Sequence, residues 1–406
     1  MMSNKDDVVI VSGVRTPFSK FGGALREIHS THLGVIVIRE SLKRAGLKGE
    51  DLDELYYGMC DQAEAALYDN VNGRQALLRA GLPDTLVSLT IDRACCSSLC
   101  AVQLGRRSIL LGEADTCMAV GAENMSNTPL LINGHRWGQG MKPLLVQDYL
   151  NPITYREYTP LGRDAGEIAI EHGISREEQD AWALGSHRKW AAADQAGKFN
   201  DELVSVELPP KKGQPVFFTK DELPRPDTTM EALAKLKTIY GSPTVTAGNA
   251  PGLDAGATAV IIMRRSRAEE IGVKPLATIL SMASSAGEPR RMAELPAKVI
   301  GQALQKADLT IDDMDVIEIN EAFAAVTLVS TKMLAGGDEA KWRKLLEKTN
   351  PNGGAIAIGH PVGASGGRIL MTMMYELRRR GGGYGVCGIC GGLAQGDACV
   401  IRVDGK

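Results

Sequence analysis

Several features that mark common protein classes are missing from this chain of 406 residues. No apolar run approaches the roughly 20 residues needed to span a bilayer. The opening Met1-Met2-Ser3-Asn4-Lys5-Asp6-Asp7 lacks the apolar core of a signal peptide, so a cytoplasmic location with no membrane partner is expected. A basic surplus is also missing: 46 Lys and Arg stand against 49 Asp and Glu, a formal charge of -3. Nucleic acid therefore finds no broad electrostatic footprint here. Histidine is scarce, with six residues, and no second CxxC or close-set histidine pair accompanies Cys387-Gly388-Ile389-Cys390. Read alone, that CxxC suggests zinc or a redox pair, but nothing completes a tetrahedral site and no helix opens at Cys387, so no metal is expected.

What is present points to a large globular protein. A chain of this length allows two to four units with a substantial core. Its 45 glycines exceed the usual share of about 7% without low complexity, which means tight turns and close backbone approaches. Eight cysteines in a chain without an export signal should be reduced, hence reactive, metal-binding or buried.

The order of elements is that of an α/β protein. Val8-Val9-Ile10-Val11 reads as a buried strand, ended by Gly13, Arg15, Thr16 and Pro17. Ser175 with Glu178 forms a capping box, predicting an amphipathic helix over about 175 to 197 that Gly197 closes. A weak repeat aligns Leu42 to Cys60 with Leu304 to Ala322, matching Leu42/Leu304, Ala45/Ala307, Leu47/Leu309, Asp51/Asp313 and Asp53/Asp315. Both copies read helix, turn, strand, and Gly112/Gly382, Cys117/Cys387 and Gly121/Gly391 match further on. A duplicated half follows, about 1 to 125 and about 280 to 406. Between them, 128–250 carries Pro129, Pro143, Pro152, Pro160, Pro209, Pro210, Pro215, Pro224, Pro226 and Pro243, and suits a loop-rich insertion.

Four elements carry candidate chemistry. Cys95 stands where a strand-like stretch enters a helix with Leu99, Val102, Ile109 and Leu110 on its apolar face. Unpaired N–H groups and the macrodipole there favour a thiolate, making Cys95 a nucleophile candidate, although a free cysteine is as readily a small buried hydrophobe. His360 lies in the glycine-rich turn Gly359-His360-Pro361-Val362-Gly363, placed for general-base work, with a helix from about Ala364. Cys390 follows thirty residues later. In Asn320-Glu321-Ala322-Phe323, Asn320 can orient a water or an oxyanion and Glu321 a neighbouring group, with capping or a turn as the plainer role.

In this order, Arg15-Thr16-Pro17-Phe18, Cys95, Thr246-Ala247-Gly248-Asn249, Asn320-Glu321-Ala322-Phe323, Gly359-His360-Pro361 and Cys390-Gly391-Gly392 resemble the thiolase family from about Val8 to Val400. The resemblance implies two α/β halves in α-β-α-β-α layers, 1–127 with 251–278 and 279–406, around a loop domain at 128–250. It implies reversible cleavage of a 3-ketoacyl-CoA by CoA to acetyl-CoA and a shortened acyl-CoA. Cys95 then resembles the acyl-carrying nucleophile, His360 its base and Cys390 the second acid/base. Asn320 resembles the holder of a water in one oxyanion hole with His360. Cys95 and Gly392 resemble the backbone donors of the other. Arg225, Ala247 and Gly248 resemble contacts to CoA, a co-substrate in a protein with no tightly bound cofactor. A homodimer or homotetramer is also implied.

The chain departs from the family at several points. Cys96 and Ser98 stand where many members have glycine, which suggests a narrower or more polar pocket beside Cys95. Pro160-Leu161-Gly162 replaces the His-Met-Gly of acetoacetyl-CoA-specific members, and Pro251 a pantetheine-contacting serine. Residues 336–348 look longer than the family needs, with Lys341, Arg343, Lys344 and Lys348 reading as a solvated helix or an interface with a protein partner. A condensing enzyme of the same fold working towards carbon–carbon bond formation, and an inactive acyl-CoA-binding subunit, are the alternatives.

Overall fold

The computed structural model describes residues 6–64, 70–138, 140–150, 157–211 and 213–405, so the opening Met1 to Lys5 and Pro152 lie outside it. The first apolar run starts β1 (Val8–Arg15), buried at every residue and continuing through Gly13 rather than ending there. Its last residue, expected in a loop, is a fully buried guanidinium held by Glu202 and Asp221, each at 2.7 Å. Paired partners let Arg15 stay charged inside.

The first half continues through α1 (Ser30–Ala45), β2 (Glu54–Gly58), α2 (Asn72–Ala80), β3 (Val87–Ile91), α3 (Ser97–Leu111) and β4 (Thr116–Asn124). After the intervening segment come β9 (Ala255–Arg264) and α7 (Arg265–Glu270). The second half holds β10 (Ala277–Ala286), α8 (Leu295–Lys306), β11 (Val316–Ile319), α9 (Ala324–Leu334), α10 (Glu339–Lys348), α11 (Ala355–Ile358), α12 (Ser365–Arg380), β12 (Gly383–Gly391) and β13 (Gln395–Val403).

Nine strands pair in the order β11-β12-β13-β10-β1-β9-β4-β2-β3. Apart from β3, the order reads alike from either side of the centre. Parallel β2/β4 answers parallel β11/β12, and antiparallel β9 answers antiparallel β13. The centre is the antiparallel pair β1/β10, with Val8 opposite Ile279. The matched aspartates do the same work in each half: Asp53 accepts from the N–H of Thr116 at the start of β4 (2.9 Å), and Asp315 from that of Tyr384 in β12 (2.9 Å). Asp51 and Asp313 each accept a backbone N–H three residues earlier, both at 2.8 Å.

Strand alternation sorts the core into layers. On β12, Cys387 and Ile389 join a cluster with Leu99 and Val102 of α3 and Ile369, Leu370 and Met373 of α12. Val386 and Cys390 join the opposite cluster, with Val299 and Ile300 of α8 and Val326 of α9. On β9, Val260 and Ile262 face α3 and α12 while Ile261 faces the α1 cluster. Helices α3 and α12 thus form the middle layer, and α1 and α8 lie on the outer faces, as the layered reading expects.

Between β4 and β9 lie β5 (Leu130–Ile132), β6 (Val146–Asp148), α4 (Leu161–Glu171), α5 (Arg176–Gln195), β7 (Val206–Lys211), β8 (Gln214–Phe218) and α6 (Met230–Ala234). The segment is more helical than its prolines suggest, because they sit outside the helices: Pro160 precedes α4, and Pro209 and Pro210 lie in a hairpin strand. Helix α5 carries the expected Ser175/Glu178 capping box. The 336–348 stretch is mostly α10, anchored by buried Trp342 and Leu345, with Lys341 paired to Asp312 (2.7 Å) and Arg343 to Glu339 (3.2 Å).

Candidate active site

Cys95 is placed by a tight turn between β3 and α3. Asp92 accepts from the N–H of Ala94 (2.8 Å), whose φ is 48°, and Ser97 Oγ receives the Arg93 N–H at 2.9 Å. Cys96 then caps α3 and leaves Cys95 just ahead of the helix. Among the eight cysteines only Cys95 and Cys60 are partly exposed, so Cys95 combines a helix N-terminus with access. Cys96 and Ser98, the residues that depart from glycine beside it, are packed into the interior. Both are buried, with Cys96 Sγ 3.6 Å from the Ile389 carbonyl and Ser98 Oγ accepting from the Gly367 N–H (2.9 Å).

His360 meets Cys95 directly, its Nε2 lying 3.2 Å from Sγ. Ser365, at the first position of α12, contacts Nδ1 at 2.5 Å and donates its own hydroxyl to the Pro361 carbonyl at 2.8 Å. A hydroxyl has one hydrogen, so Ser365 accepts from Nδ1–H, and the Nε2 lone pair is left facing the thiol. The backbone is held too: His360 N–H donates to buried Asp254 at 2.6 Å. Gly359 has φ 116°, and a Cβ there would lie 3.0 Å from Leu223 and 3.2 Å from Asp254. Gly366 brings α12 onto α3, its place for a Cβ being 2.7 Å from Leu99 N.

Burial sets the protonation states. It pushes the Cys95 thiol above its ordinary value, with Cys390 adding to the effect, and pushes His360 down to about 3, with Arg368 helping. The resting pair is therefore thiol and neutral imidazole. The helix terminus alone does not produce the standing thiolate that its position suggests. Asp254 is raised to about 7, also by burial.

Asn320 follows β11, its N–H bound to the Gly388 carbonyl at 3.1 Å, beside the end of β12 that carries Cys390. Its Oδ1 accepts from Arg368 (3.4 Å), and its buried Nδ2 has no partner among the described residues. A buried amide donor without a partner fits a water or a substrate oxygen. Glu321 is a tether: its carboxylate accepts from Trp182 Nε1, Asn350 Nδ2 and Ser186 Oγ, each at 2.9 Å, and from the Ile356 N–H at 3.0 Å.

Cys390 is fully buried, and burial pushes its thiol up to about 12. Cys387 and Cys390 are three apart on one strand and face opposite sides of the sheet, so they cannot chelate one ion or close a disulfide together. Gly392 is buried in the turn after Cys390, ahead of Leu393 and Ala394 at φ 57° and 53°. Leu393 also lines a cavity of about 230 Å³ with Tyr158, Leu161 and Arg290.

The expected CoA contacts are Arg225, Ala247 and Gly248. Arg225 is exposed, its N–H bound to His187 Nδ1 (3.2 Å), while Leu223 reaches back to Gly359. Ala247 is exposed and Gly248 packs on Leu233 and Leu236. Sequence reasoning missed Ser365, Asp254, Glu318 and Arg368. The signal for the last was an arginine inside the otherwise apolar run Ile369-Leu370-Met371 and its neighbours.

Comparison with known proteins agrees over the whole chain. Residues 8–266 match the model of the thiolase N-terminal domain and 273–403 that of the thiolase C-terminal domain. An acetyl-CoA acetyltransferase of Syntrophomonas wolfei is 42% identical over 405 residues, covering 98% of this chain and 99% of that protein. A beta-ketoadipyl-CoA thiolase of Pseudomonas aeruginosa is 38% identical, again covering 98% and 99%. The crystal structure of human mitochondrial 3-ketoacyl-CoA thiolase superposes with a TM-score of 0.91 at 36% identity, over 99% of this chain and all of that one. A second structure of that enzyme, in complex with CoA, gives 0.89 over 98% of each.

Proposed function

Since this chain belongs to the thiolase family, we propose a division of labour among its residues for the CoA-dependent, reversible thiolysis of 3-ketoacyl-CoA that it catalyses. The observation that carries the assignment is the 3.2 Å contact from Cys95 Sγ to His360 Nε2, with the tautomer set by Ser365.

Cys95 passes its proton to His360 Nε2 as Sγ bonds to the C3 ketone carbon of the substrate. The ketone oxygen takes the negative charge and meets the backbone N–H groups of Cys95 and Gly392. Collapse of this adduct breaks the C2–C3 bond. The electron pair stays on C2 of departing acetyl-CoA as an enolate, whose thioester oxygen meets a water held by Asn320 together with His360, and C2 takes a proton from Cys390 Sγ, leaving the shortened acyl group as a thioester on Cys95. The Cys390 thiolate then deprotonates incoming CoA, whose sulfur attacks the thioester. The backbone N–H groups of Cys95 and Gly392 steady that second oxyanion. Cys95 leaves as its thiolate and recovers its proton from His360. Two cysteines with pKa values raised by burial suit this role, since each must give up a proton only as a bond forms.

Arg225, Ala247 and Gly248 are the proposed CoA contacts, on the rim that Leu223 connects to the His360 loop. The acyl chain runs towards Leu393 and Leu161. The division into 1–127 with 251–278, 128–250 and 279–406 serves as the domain description, with β10 starting two residues ahead of the last boundary. A homodimer is supported by β3, an edge strand of the sheet, which exposes Val87 and Leu89 along an edge with no paired strand among the described residues.

The test is acylation. On mixing with acetyl-CoA, intact mass and peptide mapping should place one acetyl group on Cys95. An adduct on another cysteine removes the nucleophile assignment, and no adduct favours the inactive binding subunit.

A further inference from the structure

Arg368 lies three residues after Ser365 on α12, so the two side chains share a helix face, one turned to His360 and the other to β11. Glu318 and Asn320 are two apart at the end of β11 and share a strand face. The fully buried guanidinium spans both: Nη1 lies 3.2 Å from Glu318 Oε2 and Nη2 3.4 Å from Asn320 Oδ1. As a stabilising device this is poor. Arg368 Nε and Glu318 Oε1 are left without partners among the described residues, and an apolar pair of similar volume would avoid the cost of burying two charges.

The arrangement does decide which way the Asn320 amide points. A guanidinium is donor only, so it accepts no hydrogen from Nδ2 and holds Oδ1 instead. The amide hydrogens are left on the side where the structure gives them no partner. We propose that Arg368 is a positioning residue for the thiolysis reaction, fixing the Asn320 amide so that its Nδ2 donors serve the developing oxyanion or its bridging water. This rests on the assignment of Asn320 as that donor. The same cation bears on His360 and favours the neutral imidazole that must accept the Cys95 proton.

The experiment is a double-mutant cycle on the full-length protein, read by steady-state thiolysis of a 3-ketoacyl-CoA. Arg368→Met should lower kcat by about 10²-fold, the scale of losing one oxyanion donor, with KM little changed. In an Asn320→Ala background the same substitution should cost almost nothing more. Losses that multiply instead overturn the proposal. Full activity of Asn320→Ala alone would overturn the Asn320 assignment itself, so the two failures are distinct. If Arg368→Met does not fold because Glu318 is left unpaired, the double variant Glu318→Gln/Arg368→Gln removes both charges together, and the same non-additivity with Asn320→Ala is expected of it. Arg368→Met should also move the acid limb of the kcat profile towards neutral pH, since losing a nearby cation makes His360 easier to protonate. That shift reads the charge of Arg368 on His360, whereas the non-additivity with Asn320→Ala reads the positioning, which a purely structural arginine would not show.

Discussion

Ser365 Oγ accepts the Nδ1–H of His360 because its own hydrogen is already given to the Pro361 carbonyl. One serine thus selects the tautomer in which the imidazole can act as a base towards Cys95. Removing the hydroxyl leaves both tautomers open and the ring free to turn. Ser365→Ala should lower the rate of Cys95 acylation by about 10- to 10²-fold, less than the 10²–10⁴ attributed to general-base catalysis as a whole. Single-turnover acetyl transfer from acetyl-CoA measures it, and an unchanged rate would show that the tautomer is set elsewhere.

The protonation states make a prediction about pH. With the Cys95 thiol raised above its ordinary value and His360 lowered to about 3, the thiolate fraction at neutral pH is small and grows with each step upwards. Alkylation by iodoacetamide in the absence of substrate should therefore climb steadily above pH 7. A plateau from pH 5 to 8 would instead reveal a standing thiolate–imidazolium pair.

Cys390 and Cys387 should behave differently although they share a CxxC. Cys390→Ala should abolish thiolysis while Cys95 still takes an acetyl group from acetyl-CoA, because only the proton traffic of the second acid/base is lost. Cys387→Ala, in the layer between α3 and α12, should keep most of the activity and lose about 1 kcal/mol or somewhat more of stability from the small cavity it leaves. Comparable loss of turnover in both would restore a joint role for the pair.

Glu321 gathers four donors from α5, α11 and Asn350 without touching the reacting cysteine. Glu321→Ala strands those buried donors at about 1–3 kcal/mol each before relaxation, so a net loss of about 3 kcal/mol or more is expected. Chemical denaturation measures it. A loss of turnover at full stability would move Glu321 into the chemistry.

Much of this site is legible in the linear sequence, for a physical reason. Cys95 before a helix and His360 among glycines are local patterns, and local patterns survive without coordinates. The repeat was readable because Asp51, Asp53, Asp313 and Asp315 hold backbone N–H groups at turns, work that few residue types can do. Contacts across distant segments were not legible. Neither Arg368 with Glu318, fifty residues away, nor Asp254 with His360 leaves a periodic mark. The strand through Gly13 was cut short because glycine signals a turn on average, and here Gly13 lies under the Met371 side chain, where a larger residue would crowd it.

The near-mirror order of the sheet bears on how such a protein can change over time. Continuing the matched register pairs Gly58 with Asn320 and Val120 with Cys390, so the first half has no counterpart of either chemical group. Gly58 has no room for one, since a Cβ there would lie 2.7 Å from the Ser97 and Ser98 backbone beneath the nucleophile turn. On the proposed assignment, one half presents a sulfur and the other moves protons around it. Neither inherits a spare copy of its partner's function, so a lesion in either is uncompensated, and the two ancestries are bound to a common fate.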